Sequence, residues 1–269
     1  MTLTRNLLIF TLLILGGCGH LSACKQTPIS GSQVRDNNST QSDDSMMAQG
    51  QMTPTNNNSD ILMAAPHGTF DLGTDQILND LCPALRWNCL LVTGFRSFAH
   101  AINVNRPTEG VRMKADEEVE TPEAHRVYDM YHGYFDQLYR KDSSRWYIEI
   151  HGNADACCVH ALEIATVGVD ADTAKILASK LRDSLTAAGI SPNELDIRIE
   201  PLNSLRFMAQ GNKTKGVLHD VRRAIHIEAP SFARKERRPQ YTAALLDFFR
   251  GLDSLDRANT NQEPQSTSP

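Results

Sequence analysis

The sequence predicts an α/β domain built on a mixed, open sheet with helices on both faces. Short apolar runs alternate with longer amphipathic segments, the pattern of strands and helices taking turns in a layered fold. Two of these runs, WYIEIHG and HALEIATVG, follow each other with no helix between them, so the strands are not all parallel. Polar residues stand at the ends of the runs, where α/β sheets collect their ligands.

From the N-terminus, MTLTRNLLIFTLLILGGCGHLSAC has one early Arg5, an apolar run from Leu7 to Leu15 and then small residues. This is the layout of an export signal and is too short for a membrane span. LGGC, ending at Cys18, and LSAC, ending at Cys24, resemble the lipobox of bacterial lipoproteins. Cys18 directly follows the apolar run and is the first choice for lipidation, with Cys24 the alternative. The implied location is the bacterial cell envelope, with the protein held at the membrane by a lipid anchor. Residues 25–60 are rich in Ser, Thr, Asn, Gln and Asp and read as a disordered tether. The tail, residues 257–269, is polar in the same way. The domain proper is expected over residues 61–256, about 200 residues, enough for one α/β unit.

Within it the strand candidates are ILMAAP, CLLVTGF, WYIEIHG, HALEIATVG, LDIRIEP and AIHIEAP. Helical spacing covers residues 74–86, 123–140, 170–188 and 238–252, with Thr74 and Asp172 as N-cap candidates. A net charge of −5 with scattered Lys and Arg leaves no basic stripe, which argues against nucleic acid as a partner. In an exported chain Cys82 and Cys89 are the easiest pair to imagine as a disulfide, with the adjacent Cys157 and Cys158 remaining.

A catalytic zinc needs three His or carboxylate ligands and an open position for water. His67 and Asp71, in APHGTFD, form a close pair behind the first strand, and His151, ending WYIEI, is a remote third. Alternation puts Tyr147, Glu149 and His151 on one strand face, so Glu149 is placed to orient an imidazole. Glu228, ending AIHI, is the first candidate for general base and Glu200 the rival, while His226 reads as a satisfied core or edge histidine. The segment TGFRSFAHAINVNRP carries Arg96, Asn103, Asn105 and Arg106, and a guanidinium fork suits a substrate carboxylate or a scissile carbonyl.

In chain order, PHGTFD, FRSFAHAINVNRP, IEIHG and IHIEAP resemble the N-formylglutamate amidohydrolase family and the wider zinc carboxypeptidase-like (phosphorylase/hydrolase-like) hydrolases. The start of the domain is also similar to the phage poly-gamma-glutamate hydrolases. The resemblance implies one zinc ion on His67, Asp71 and His151, a substrate role for Asn105 and Arg106 together with Arg96, and Glu228 as base. It also implies cleavage of an amide or peptide bond in a small carboxylate-bearing or peptide substrate. HGTFD has one residue more than the carboxypeptidase spacing and an Asp in place of Glu, and Asn103 stands where the amidohydrolases have Asp; the reaction type carries over, the substrate does not. Two other classes stay open: a lipid-anchored, non-catalytic metal- or ligand-binding protein of the same fold, and a cysteine hydrolase using Cys157 or Cys158 with His160.

Overall fold

A computed structural model describes residues 49–110 and 115–260 of the chain. The candidate lipidation sites Cys18 and Cys24, and the signal that holds them, lie outside the described residues. The strands are β1 (Gln51–Thr55), β2 (Ile61–Ala65), β3 (Asn88–Thr93), β4 (Trp146–Asn153), β5 (Ala161–Val167), β6 (Asp196–Ile199) and β7 (Ala224–Pro230). The helices are α1 (Thr74–Leu85), α2 (Pro122–Leu138), α3 (Ala171–Ala187), α4 (Gln210–Lys215), α5 (Ser231–Arg234) and α6 (Arg238–Thr260).

One seven-stranded sheet runs in the order β1-β3-β2-β4-β7-β5-β6. β3, β2, β4 and β7 are parallel to one another. β5 runs antiparallel to β7, and β6 is parallel to β5. The sheet is therefore mixed, as expected, although the reversal falls between β7 and β5, because β7 inserts between β4 and β5. This topology brings the carboxyl ends of β2, β3, β4 and β7 to one end of the sheet.

Strand alternation sorts the core into two layers. Ile61, Met63, Ile148, Ile150, Ile225 and Ile227 face α1, α3 and α6, where Leu78, Leu81, Leu177, Leu181, Leu245 and Phe249 meet them. Leu62, Ala64, Leu90, Tyr147 and Ala224 face α2 through Val127, Tyr131 and Phe135. Residues of β2 are buried on both faces, which is why ILMAA reads as an unbroken apolar run. The Cys82–Cys89 disulfide joins the end of α1 to the start of β3.

Four boundaries differ from the sequence expectation. β1 lies inside the stretch read as tether and pairs antiparallel with β3. It buries only Met52, so no hydrophobic alternation marks it, and its Pro54 is tolerable because an edge strand needs a ladder on one side only. The polar residues after it are held by Asn88, whose Oδ1 accepts from the Asn57 N–H at 2.9 Å and whose Nδ2 donates to the Ser59 carbonyl at 2.9 Å. α6 continues past Asp256 to Thr260. Helix α3 is capped by Asp170, which accepts from the Thr173 N–H at 2.7 Å, and Asp172 is the second residue of its first turn; Thr74 is the first residue of α1, with Gly73 at its N-cap.

Candidate metal centre

The chain leaves β2 through Pro66 and turns sharply at His67. The His67 carbonyl accepts from the Phe70 and Asp71 N–H groups at 2.8 and 2.7 Å, closing one helical turn that brings the Asp71 carboxylate back under the His67 ring. Gly68 makes the turn possible, because a Cβ there would lie 2.8 Å from the Val92 carbonyl oxygen of neighbouring β3. His151 arrives from the last part of β4, one strand over on the same sheet face. All three side chains are buried.

Their facing atoms form a small triangle. His67 Nδ1 is 3.3 Å from His151 Nδ1 and 3.5 Å from Asp71 Oδ2, and His151 Nδ1 is 3.6 Å from the same oxygen. A tetrahedral zinc with bonds of about 2.0–2.1 Å separates its ligand atoms by about 3.4 Å, so the three edges fit that ion. The Gly152 N–H also donates to Asp71 Oδ2, at 3.0 Å, tying the carboxylate to the strand that carries His151. Burial and the nearby Arg96 charge push His67 down to about 3. For His151 burial also acts downward, but hydrogen bonds to Asp71 and Glu149 outweigh it and push the ring up to about 10. Asp71 is held far below the usual carboxylate range, since its hydrogen bonds with both imidazoles overcome the burial that acts upward.

Behind His151 lies Glu149, fully buried. Its Oε2 accepts from His226 Nδ1 at 2.7 Å, Asn212 Nδ2 at 2.8 Å and His151 Nε2 at 3.3 Å. Its Oε1 accepts from the Tyr147 hydroxyl at 2.7 Å and Asn105 Nδ2 at 3.0 Å, and the Tyr131 hydroxyl is 2.7 Å from that of Tyr147. Burial alone would raise the Glu149 pKa, but the bonds and charges of His151 and His226 hold it well below the ordinary value. With Nε2–H of His151 committed to Glu149, the Nδ1 edge is the one presented to the triangle. Glu149 was legible from strand alternation. Asn212 was not, because it comes from the short helix α4 with no motif around it.

Glu228 stands directly opposite His151 in the β4–β7 register, and its Oε1 is 3.2 Å from His226 Nε2. His226 stacks on His151, with ring centroids 4.3 Å apart, and bridges Glu149 to Glu228. Its Nδ1–H serves Glu149, and its Nε2 faces the Glu228 carboxylate. Glu200 is not in this assembly. β6 runs opposite to β7, so its carboxyl end points to the other end of the sheet, where Glu200 accepts from the Thr166 N–H at 2.9 Å and pairs with Lys213.

The arginine segment is placed differently from the sequence expectation. Asn103, Val104, Asn105 and Thr108 are buried. Arg106 turns its fork onto Glu118, with Nε to Oε2 at 2.8 Å and Nη2 to Oε1, while its Nη1 faces Asn105 Oδ1 at 3.3 Å. The carboxylate it grips is thus the protein's own, and Asn105 is spent on Glu149. Arg96 donates to the carbonyls of Ile102 and Gly110, at 2.9 and 3.0 Å, and to Asn103 Oδ1, and it lies over the Phe70 ring. Burial lowers its pKa to about 10, while Asp71, Glu118 and Glu228 act upward. Arg96 therefore borders the triangle, and Arg106 anchors the loop beside it. Cys158 is buried, and His160 bonds through Nδ1 to the Glu194 carbonyl at 3.1 Å.

No protein-family model matches the chain, and no curated protein sequence does. Among solved structures, YNDL in a zinc-free apo form is similar at 13% identity and a TM-score of 0.43, over 75% of this chain and 89% of that one. A metallo-carboxypeptidase from Burkholderia cenocepacia is similar at 14% identity and 0.43, over 72% and 57%. Another from Pseudomonas aeruginosa, in complex with (2-guanidinoethylmercapto)succinic acid, is similar at 16% and 0.40, over 71% and 56%. At these values no activity transfers from those proteins, and the residues of the site decide what it can do.

Proposed function

We propose that this chain is a zinc-dependent hydrolase that cleaves an amide or peptide bond in a carboxylate-bearing substrate. The observation that carries the reading is the buried triangle of two imidazole nitrogens and one carboxylate oxygen, with edges of 3.3, 3.5 and 3.6 Å. His67, Asp71 and His151 would hold one zinc ion, with Glu149 orienting His151. Bound there, zinc supplies Lewis acidity toward a carbonyl oxygen and makes a water more acidic. Glu228 accepts a proton from the attacking water at a carboxylate oxygen and hands it to the leaving amine. His226, stacked on His151, holds that carboxylate by its hydrogen bond. Arg96, at the border of the site, stabilises charge developing on the carbonyl oxygen.

For the substrate, N-acyl amino acids, peptides and gamma-glutamyl compounds fit the chemistry equally. The N-formylglutamate amidohydrolase resemblance rests on its motifs alone. An export signal and lipid anchor would place the activity at the outer face of a bacterial membrane.

The test is metal analysis of the purified protein followed by a substrate panel with and without chelator. One zinc per chain is expected, lost in His67→Ala and His151→Ala, and Glu228→Gln should retain zinc and lose turnover. A wild-type protein that takes up no zinc, or activity indifferent to chelation, would refute the reading. Zinc uptake with no turnover on any panel member would favour the non-catalytic binding protein.

A further inference from the structure

We propose that Arg234 is the positioning residue that sets the spacing between the metal ligands and the general base. The proposal rests on the zinc reading of the site. Arg234 is 4% exposed, at the end of α5. Its Nε donates to the Ala229 carbonyl at 2.9 Å, its Nη2 to the Asn153 carbonyl at 3.1 Å, and its Nη1 to the Leu72 carbonyl. Leu72 follows Asp71, Ala229 follows Glu228, and Asn153 lies two residues beyond His151. One guanidinium thus ties together the three chain segments that bring the two remote ligands and the base to the centre.

Two glycines beside the site pack against the same residue, Gly152 against its guanidinium and Gly73 against its backbone. A Cβ on Gly152 would lie 2.2 Å from Arg234 Cζ, so the residue after His151 must be bare for the guanidinium to lie flat against the strand end. That close approach leaves the Gly152 N–H aimed at Asp71 Oδ2. Gly73, at φ +94, lacks a Cβ that would lie 2.4 Å from the Arg234 carbonyl oxygen. The rigid planar fork matters because its donors have fixed relative directions. A metal site works only when its ligands are held to within about 0.5 Å, and a flexible apolar chain at position 234 would leave these three carbonyls, two on strands and one on the ligand loop, without the guanidinium.

The test uses Arg234→Lys, which keeps the charge but not the three-way fork, and Gly152→Ala, which keeps Arg234 but pushes its guanidinium away. Zinc affinity would be read by chelator competition, ligand geometry by the visible spectrum of the cobalt-substituted protein, and turnover as separate kcat and KM. Both folded variants should bind zinc about 10- to 100-fold more weakly, show an altered cobalt spectrum and lose kcat more than KM. Folded variants with a lower unfolding midpoint but wild-type zinc affinity and cobalt spectrum would overturn the proposal. Should neither variant fold, the wild-type protein decides: the Arg234 Nε–H resonance must shift on zinc addition, and an unmoved resonance overturns it. If the wild type takes up no zinc, the metal reading fails instead.

Discussion

Replacing Glu149 by glutamine preserves shape and removes only the charge and half of the accepting capacity. The carboxylate receives five donors, two on Oε1 and three on Oε2. An amide has one oxygen and one NH2 group, so in either orientation the NH2 faces at least two donors. Each buried donor left unbonded costs about 1–3 kcal/mol, which makes the expected loss about 2–6 kcal/mol. That is a large share of the roughly 5–15 kcal/mol by which a domain is stable. The assay is urea unfolding of Glu149→Gln beside wild type, in chelator so that metal does not contribute, followed by zinc titration of the folded variant. Zinc affinity should fall about 10- to 100-fold as His151 loses its orienting acceptor. A variant within about 0.5 kcal/mol of wild type and with equal zinc affinity would show that Glu149 does not organise the centre.

The metal-free protein should lose stability as pH rises from about 6.5 to about 10, because the folded state holds a proton on His151 that the unfolded chain has released; urea midpoints measured with chelator and with zinc should diverge over that window. In the same window zinc uptake should release about one proton per ion, measurable by calorimetry in buffers of different ionisation heat, and release of none would contradict the His151 assignment. Arg106→Ala should cost about 1–3 kcal/mol by removing the fork from the partly buried Glu118, whereas a KM increase without a stability loss would restore Arg106 to substrate binding. Glu118 has a depressed pKa, because its bonds to Arg106 overcome burial, so the wild-type pair contributes above the ordinary carboxylate range and is lost in acid, and this acid-side slope should be absent from Arg106→Ala. Replacing Cys82 and Cys89 together by serine should cost about 2–3 kcal/mol from the released loop in urea unfolding; an unchanged midpoint would mean that the crosslink adds nothing.

Much of the fold was written locally. Each of the six strand candidates and four helical segments has its counterpart, since burial on a sheet or helix face imposes a period that the sequence must obey. β1 escaped because an edge strand with one buried residue is stabilised by its backbone ladder, and backbone hydrogen bonds leave no side-chain pattern. In the candidate centre, His67, Asp71, His151, Glu149 and Glu228 were legible because each stands at or just beyond a strand, and strands of one direction deliver their ends to one place.

Sequence alone thus determined which residues can do chemistry and which segments carry them. Only the tertiary structure decided which of them meet. Strand direction separated Glu228 from Glu200, since antiparallel β6 delivers its carboxyl end to the far side of the sheet. A partly buried partner twelve residues on, Glu118, occupied the Arg106 fork that composition alone offered to a substrate. Arg234, distant in the chain from two of the three segments it joins, had no motif at all, because what it recognises is the positions of three carbonyl groups, and those exist only after the strands have paired.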